Sequence, residues 1–289
     1  MSLEDVRVKI DEIDQELLRL LSERAEQVHL IGEIKRKDGL EFYAPEREEK
    51  LLRKLAGINA ANQGRLPEKS IRAIFREIMS AALALEEPLK IAYLGPVGSW
   101  THQVAQGKFG HSLTYLAEGA TDGVFERVES GAADYGVLPI EHSTEGAVHH
   151  TLDQLIDSTL QICAQVLWRT ETGHTSRSDS APARFIILGR RASQQTGDDR
   201  SMLMVHARDK VGALLEVLKA FAGRGINVRQ IENRPVAGDP GSNEARFFLE
   251  VNGHCEDESL KSAVSDLSAL DASVKLLGSY PAPTWVEER

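Results

Sequence analysis

The chain has 289 residues, enough for two or three domains, and 34 basic against 44 acidic side chains leave a formal net charge of -10. That balance argues against nucleic acid or an anionic membrane as the main partner, because either would repel the chain on average. Cys163 and Cys255 are the only cysteines and lie in different regions, so neither a disulfide framework nor a zinc site is implied. The opening MSLEDVRVKI is charged and amphipathic, unlike a signal peptide, and no apolar run is long enough to span a bilayer. The expectation is a soluble, cytoplasmic protein.

From Leu3 the apolar positions Leu3, Val6, Ile10, Ile13, Leu17, Leu20, Val28, Ile31 and Ile34 recur at gaps of three and four. That is the stripe of an amphipathic helix. At about 1.5 Å per residue it is roughly 50 Å long, too long to bury its stripe on the two short helices that follow. The pattern asks for a second copy, a homodimer or higher. Arg24 falls where the stripe calls for an apolar residue, and Lys35 lies three turns later on nearly the same face. A buried guanidinium needs an anion.

Gly39 and Pro45 break the pattern. Pro45 suits the first turn of a second helix, PEREEKLLRKLAGINA. A third runs from about Pro67, with Ile71, Ile74, Phe75, Ile78, Ala82 and Leu85 on its inner face. Residues 1–88 thus form an all-α unit. Arg7, Arg24, Lys35, Arg47, Glu48 and Glu86 are spread over its three helices, and singly each reads as a solvated helix charge. Arg7 and Arg24 stand about 25 Å apart along one helix, so one small ligand cannot touch both within a copy. Antiparallel pairing would bring Arg7 of one copy to the pocket of the other.

The stretches V-R-x-K-I-D-x-I-D, L-L-S-E-R, G-E-I-K, Y-A-P-E-R-E and I-F-R-E-I-M-S-A resemble the all-helical chorismate mutase family over the whole unit. The resemblance implies that Arg7, donated across a homodimer, and Arg24 grip the two carboxylates of chorismate. It implies that Lys35 and Glu86 address the ether oxygen, and that Arg47 and Glu48 line the pocket and hold the hydroxyl end. A pericyclic rearrangement needs no cofactor or metal. It needs a dianion held in its reactive conformer and donors aimed at an oxygen that gains charge. The chain departs from the family at Ala44, often Asp there, and at Ala82, where a small hydroxyl residue is usual. Glu86 stands where some relatives place Gln. A Glu donates to the ether oxygen only when protonated, so mutase turnover is expected to fall as pH rises.

Residues 89–191 read as α/β: strands LKIAYLG, SLTYLAE, ADYGVLPIE, LQICAQVLW and RFIILGR, with helices in PVGSWTHQVAQGKF, TDGVFERVESG and AVHHTLDQLID. Gly95 to Thr101, Gly131 to Gly146 and Ala183 to Phe185 resemble the first lobe of prephenate dehydratase, a two-lobed, periplasmic-binding-protein-like fold with its active site in the cleft. That resemblance points to Ser99, Thr101, Glu141, Ser143, Arg184 and Phe185 as remnants of the dehydratase site. A fourteen-residue polar stretch, TETGHTSRSDSAPA, stands where the family builds its second lobe. His142 replaces the Asn of the family's E-N-S, and Ala183 replaces the Thr of T-R-F, which assists departure of the hydroxyl. Dehydratase activity is therefore expected to be lost. His142, His149 and His150 form a His-rich patch, read as surface residues and not as a metal site.

Residues 192–289 alternate as β-α-β-β-α-β, the order of a ferredoxin-like plait. Gly212-Ala213-Leu214 opens its first helix and Glu232-Asn233-Arg234-Pro235 ends its second strand. Together they resemble the G-A-L and E-S-R-P motifs of the ACT regulatory domain, which implies L-phenylalanine bound between ACT domains of two copies.

The expected protein is a multidomain α and α/β chorismate mutase converting chorismate to prephenate in phenylalanine biosynthesis, with a remnant dehydratase lobe and a Phe-sensing domain. Two rivals stay open: a non-catalytic Phe-sensing or partner-binding module, and a bifunctional enzyme whose missing wall comes from a neighbouring chain.

Overall fold

A computed structural model describes residues 2–39, 42–142, 146–169, 183–235, 244–270 and 272–287. Three helices open the chain: α1 (Leu3–Asp38), α2 (Pro45–Ala61) and α3 (Glu68–Glu86). Ser2 and Asp5 cap α1 reciprocally, each side chain accepting the other's backbone N–H, and Gly39 closes it at φ 64°. Pro45 occupies the first turn of α2, as its fixed φ favours, while Ala44 leaves that helix without a side-chain cap.

The middle unit holds β1 (Lys90–Leu94), α4 (Trp100–Phe109), β2 (Thr114–Glu118), α5 (Thr121–Glu129), β3 (Tyr135–His142), β4 (Gly146–Ala147), α6 (His149–Asp157), β5 (Gln161–Arg169) and β6 (Ala183–Gly189). β1 runs parallel to β2 and β3, whereas β6 pairs antiparallel with both β3 and β5. The last unit holds β7 (Asp199–Arg208), α7 (Ala213–Ala222), β8 (Val228–Pro235), β9 (Glu244–Asn252), α8 (Glu258–Ser268) and β10 (Ser273–Pro281). Its four-stranded sheet has the order β10-β7-β9-β8.

Period-two alternation decides how these units meet. On β7 and β9, Leu203, Val205, Phe247, Leu249 and Val251 bury against α7 and α8. The intervening Met202 and Phe248 join Ile140, Leu152 and Tyr280 in the core of the middle unit. Both faces of the C-terminal sheet are thus covered. A short last strand, β11 (Thr284–Glu287), unforeseen in the sequence, crosses back to pair parallel with β5.

The helical unit behaves differently. Of the predicted stripe on α1, only Val28 is buried, while Ile13 and Leu17 are more than half exposed. On α3, Ile71 and Ala82 are buried, but Ile74 and Leu85, expected to face inward, point outward from the single chain.

Candidate functional site

Gly32 and Lys35 lie one turn apart on α1 and face Glu86 at the end of α3. A Cβ on Gly32 would stand 3.3 Å from the Glu86 Cγ, so glycine allows the close approach. Lys35 Nζ donates to Glu86 Oε2 at 3.2 Å and to the Phe42 carbonyl at 2.8 Å. The Arg36 guanidinium donates to the Glu86 carbonyl, where the negative end of the α3 dipole favours a cation. Glu86 itself is buried. Arg24 is half-buried and has no acidic partner among the described residues.

In the first turn of α2, Glu48 meets Lys108 Nζ of α4 at 3.3 Å, with side chains 10% and 6% exposed. Arg47 is exposed, and Ala82 is buried without a hydroxyl to offer. Lys35, Gly32 and Glu86 come together at the α1–α3 junction, with Ala82 buried one turn earlier on α3. Arg7 does not join them: it pairs with Glu4 at 3.6 Å on an exposed turn, roughly 40 Å along α1 from Lys35.

The dehydratase-motif residues divide. Ser99 caps α4, accepting the His102 N–H at 3.3 Å and donating to the Leu94 carbonyl at 3.2 Å. Thr101 and Phe185 are buried, and Ser143 lies outside the described residues. His102 stacks on Tyr93 at 4.8 Å and its Nδ1 accepts the Gly98 N–H at 3.0 Å. Burial, with a smaller push from His111, holds this imidazole below its ordinary range.

Arg184 bridges Glu141 at 3.1 Å and Glu250 of β9. Gln230 donates to Glu141 at 3.0 Å, and Gln165 to Glu250 at 3.0 Å. Glu141 and Arg184 are therefore tied up in a knot with the C-terminal sheet. The His-rich patch disperses: His149 pairs with Glu232 at 3.4 Å and His150 with Asp122 at 2.8 Å. Among the described residues no three His, Cys, Asp or Glu side chains gather as a metal set.

In the C-terminal unit, Gly212 adopts φ 88° before α7, Ala213 is buried and Leu214 half-buried. The register Arg208↔Glu244 and Ala245↔Pro235 sets this turn and the Glu232–Pro235 motif at the same end of the sheet. Asn233 is exposed, whereas Arg234 makes a two-pronged pair with Asp153 of α6 at 3.1 and 2.5 Å.

Comparison with known proteins gives the same order of parts. Residues 6–87 match chorismate mutase type II, residues 91–192 prephenate dehydratase, and residues 201–269 the ACT domain. The bifunctional chorismate mutase/prephenate dehydratase of Aquifex aeolicus (strain VF5) is 30% identical over 355 aligned positions, covering 96% of this chain and 98% of that protein. The chain belongs to the bifunctional chorismate mutase/prephenate dehydratase family.

Two of the solved structures that resemble it are prephenate dehydratases. Prephenate dehydratase from Streptococcus mutans, 29% identical, covers 70% of this chain and 100% of its own with a TM-score of 0.55. The prephenate dehydratase from Arthrobacter aurescens in complex with L-Phe shares the fold at 22% identity and a TM-score of 0.56, covering 67% of this chain and 90% of its own. The alignment with the Aquifex relative is longer than this chain, so that bifunctional enzyme carries residues with no counterpart here. Here β5 and β6 are antiparallel neighbours joined through residues 170–182.

Three participants of this family member escaped the sequence reading. Gly32 carried no sequence signal, because the Glu86 side chain it accommodates lies on another helix. Lys108 and Glu250 carried no signal, because their partners lie in other domains.

Proposed function

We propose that this chain is a chorismate mutase that acts as a homodimer, with a silent dehydratase lobe and a Phe-responsive ACT domain. The observation that carries the reading is Arg24: a half-buried guanidinium without a carboxylate partner among the described residues, on the same helix face as the Lys35–Glu86 pair. An anionic substrate supplies what Arg24 lacks. The exposed stripe from Leu3 to Leu21 supports a partner copy, since so much contiguous apolar surface is unusual on a monomer.

In this reading Arg24 and the partner copy's Arg7 clamp the two carboxylates with forked hydrogen bonds and fold the enolpyruvyl arm over the ring. As the ether bond breaks, its oxygen gains negative charge. Lys35 donates to it from one side and protonated Glu86 from the other. Arg47 and Glu48 hold the hydroxyl end, and Ala82 contributes shape alone. Rearrangement is concerted, so no side chain acts as nucleophile.

Three observations support loss of dehydration. Ala183 offers no hydroxyl, Arg184 and Glu141 neutralise each other beside Glu250, and β5 passes to β6 without a second lobe's length of chain. Phenylalanine binding draws support from the shared end of the sheet where Gly212–Leu214 and Glu232–Pro235 stand.

Paired assays test the reading. Loss of chorismate absorbance and absence of phenylpyruvate from added prephenate are the expected results. Neither activity would leave a sensing module, and both would point to a wall supplied by a neighbouring chain.

A further inference from the structure

The middle lobe grips the two helices that carry half of the mutase pocket. Lys108, in the last turn of α4, reaches Glu48 at 3.3 Å, and both side chains are nearly sealed from water. Removing one member of so enclosed a pair would leave the other as an uncompensated buried charge. One Glu48 oxygen takes the ammonium, and the other has no partner among the described residues. The Lys108 ammonium also lies 5.9 Å from the centre of the Tyr43 ring. Tyr43 is wedged against Phe109 at 4.8 Å and Tyr135 at 5.1 Å, two residues ahead of Pro45, where α2 begins. On the neighbouring helix, a Cβ on Gly110 would fall 2.3 Å from the Ser80 Cβ, and His111 meets Glu77 at 2.8 Å. Of these lobe residues Tyr135 falls in the dehydratase-like stretch Gly131 to Gly146, whereas Lys108, Phe109, Gly110 and His111 fall in none.

We propose that Lys108 is a positioning residue for the mutase reaction, holding one oxygen of Glu48 so that the other is aimed at the substrate's hydroxyl. The lobe that no longer dehydrates prephenate thereby serves as a structural wall of the mutase site. This inference rests on the mutase reading for the role of Glu48. Lys108 touches no substrate; it acts through the carboxylate.

Steady-state chorismate turnover by the full chain tests it, using wild type, Lys108→Gln, Lys108→Arg, Glu48→Gln and the Lys108→Gln/Glu48→Gln double variant, each with its thermal midpoint. A hydroxyl contact is made in substrate and transition state alike, so Lys108→Gln should raise KM about tenfold and change kcat less than about threefold. Lys108→Arg should recover most of that loss. On the Glu48→Gln background, Lys108→Gln should add less than about twofold. A wild-type KM in Lys108→Gln, or an equal KM rise with and without Glu48, overturns the proposal, however far the midpoint falls. Should Lys108→Gln not fold, Lys108→Met carries the same comparison. A wild type that leaves chorismate unchanged removes the mutase reading itself, a result distinct from either.

Discussion

Arg24, Glu86 and Glu49 show how one helical unit uses buried charge in two ways. If Arg24 grips the substrate as proposed, Arg24→Ala should cut kcat/KM by about a hundredfold or more, about 3 kcal/mol, while the circular dichroism spectrum stays unchanged. Glu86 is paired with Lys35, and in the proposed mechanism it serves as a hydrogen-bond donor. Glu86→Gln keeps a donor at that position and should hold kcat within about tenfold of wild type, whereas Glu86→Ala should lose far more; equal rates in the two variants would remove Glu86 from the mechanism. Glu49 is structural. Burial pushes its carboxyl upward, but the Arg53 hydrogen bond at 2.8 Å, together with the Arg72 charge, outweighs this and holds it below the ordinary range. A depressed carboxyl stabilises above the unfolded-state value near pH 4 to 5 and loses that stability as pH falls through the folded-state value. Glu49→Gln should therefore cost about 2 kcal/mol in urea unfolding at pH 7, and the gap from wild type should close at pH 3. Arg24 and Lys35 stood out in the sequence because helical spacing puts them on one face, whereas Glu86 was singled out only by the family resemblance. Lys108 was not, since it lies sixty positions from Glu48 and only the fold joins them.

At the scale of elements, helix α1 was legible from its 3.6-residue apolar period and the break at Gly39, and the structure adds a capping box at Ser2 and Asp5. Its environment was less legible. The stripe marks a surface that must be covered without saying by what, and within one chain the N-terminal half stays exposed. If a second copy covers it, Ile13→Glu/Leu17→Glu should shift sedimentation to the monomer and abolish turnover together. A dimer of unchanged affinity in that variant would show that α1 pairs elsewhere. The strands of the two sheets followed from alternation and flanking glycines, but β11 has only four residues and a Pro-rich approach, too little pattern to read. Its pairing with β5 closes an edge that would otherwise be open.

Across the whole molecule, three domains that read as separate in the sequence are interlocked. Gly278, at φ 156°, lets β10 approach β5 so closely that a Cβ would stand 2.2 Å from the Ile162 carbonyl oxygen. Gly278→Ala should cost about 3 kcal/mol or more and expose the C-terminal unit to proteolysis, with the helical unit protected longer. Equal stability and an unchanged digestion pattern would mean that the sheets separate without loss. Interlocking also engages motif residues: Arg184 pairs with Glu250 and Arg234 with Asp153 across domains, while Glu141 takes Arg184 of its own unit and a hydrogen bond from Gln230.

The central claim is a mutase site built by two copies, and it is tested most directly by mixing two dead variants. Arg7→Ala and Arg24→Ala, each inactive alone, should form mixed dimers in which one site has both guanidinium groups and the other has neither. Statistical mixing by co-refolding should then restore about a quarter of wild-type chorismate turnover. No recovery, with mixed dimers present by mass, would place both arginines in one chain's site or neither in any.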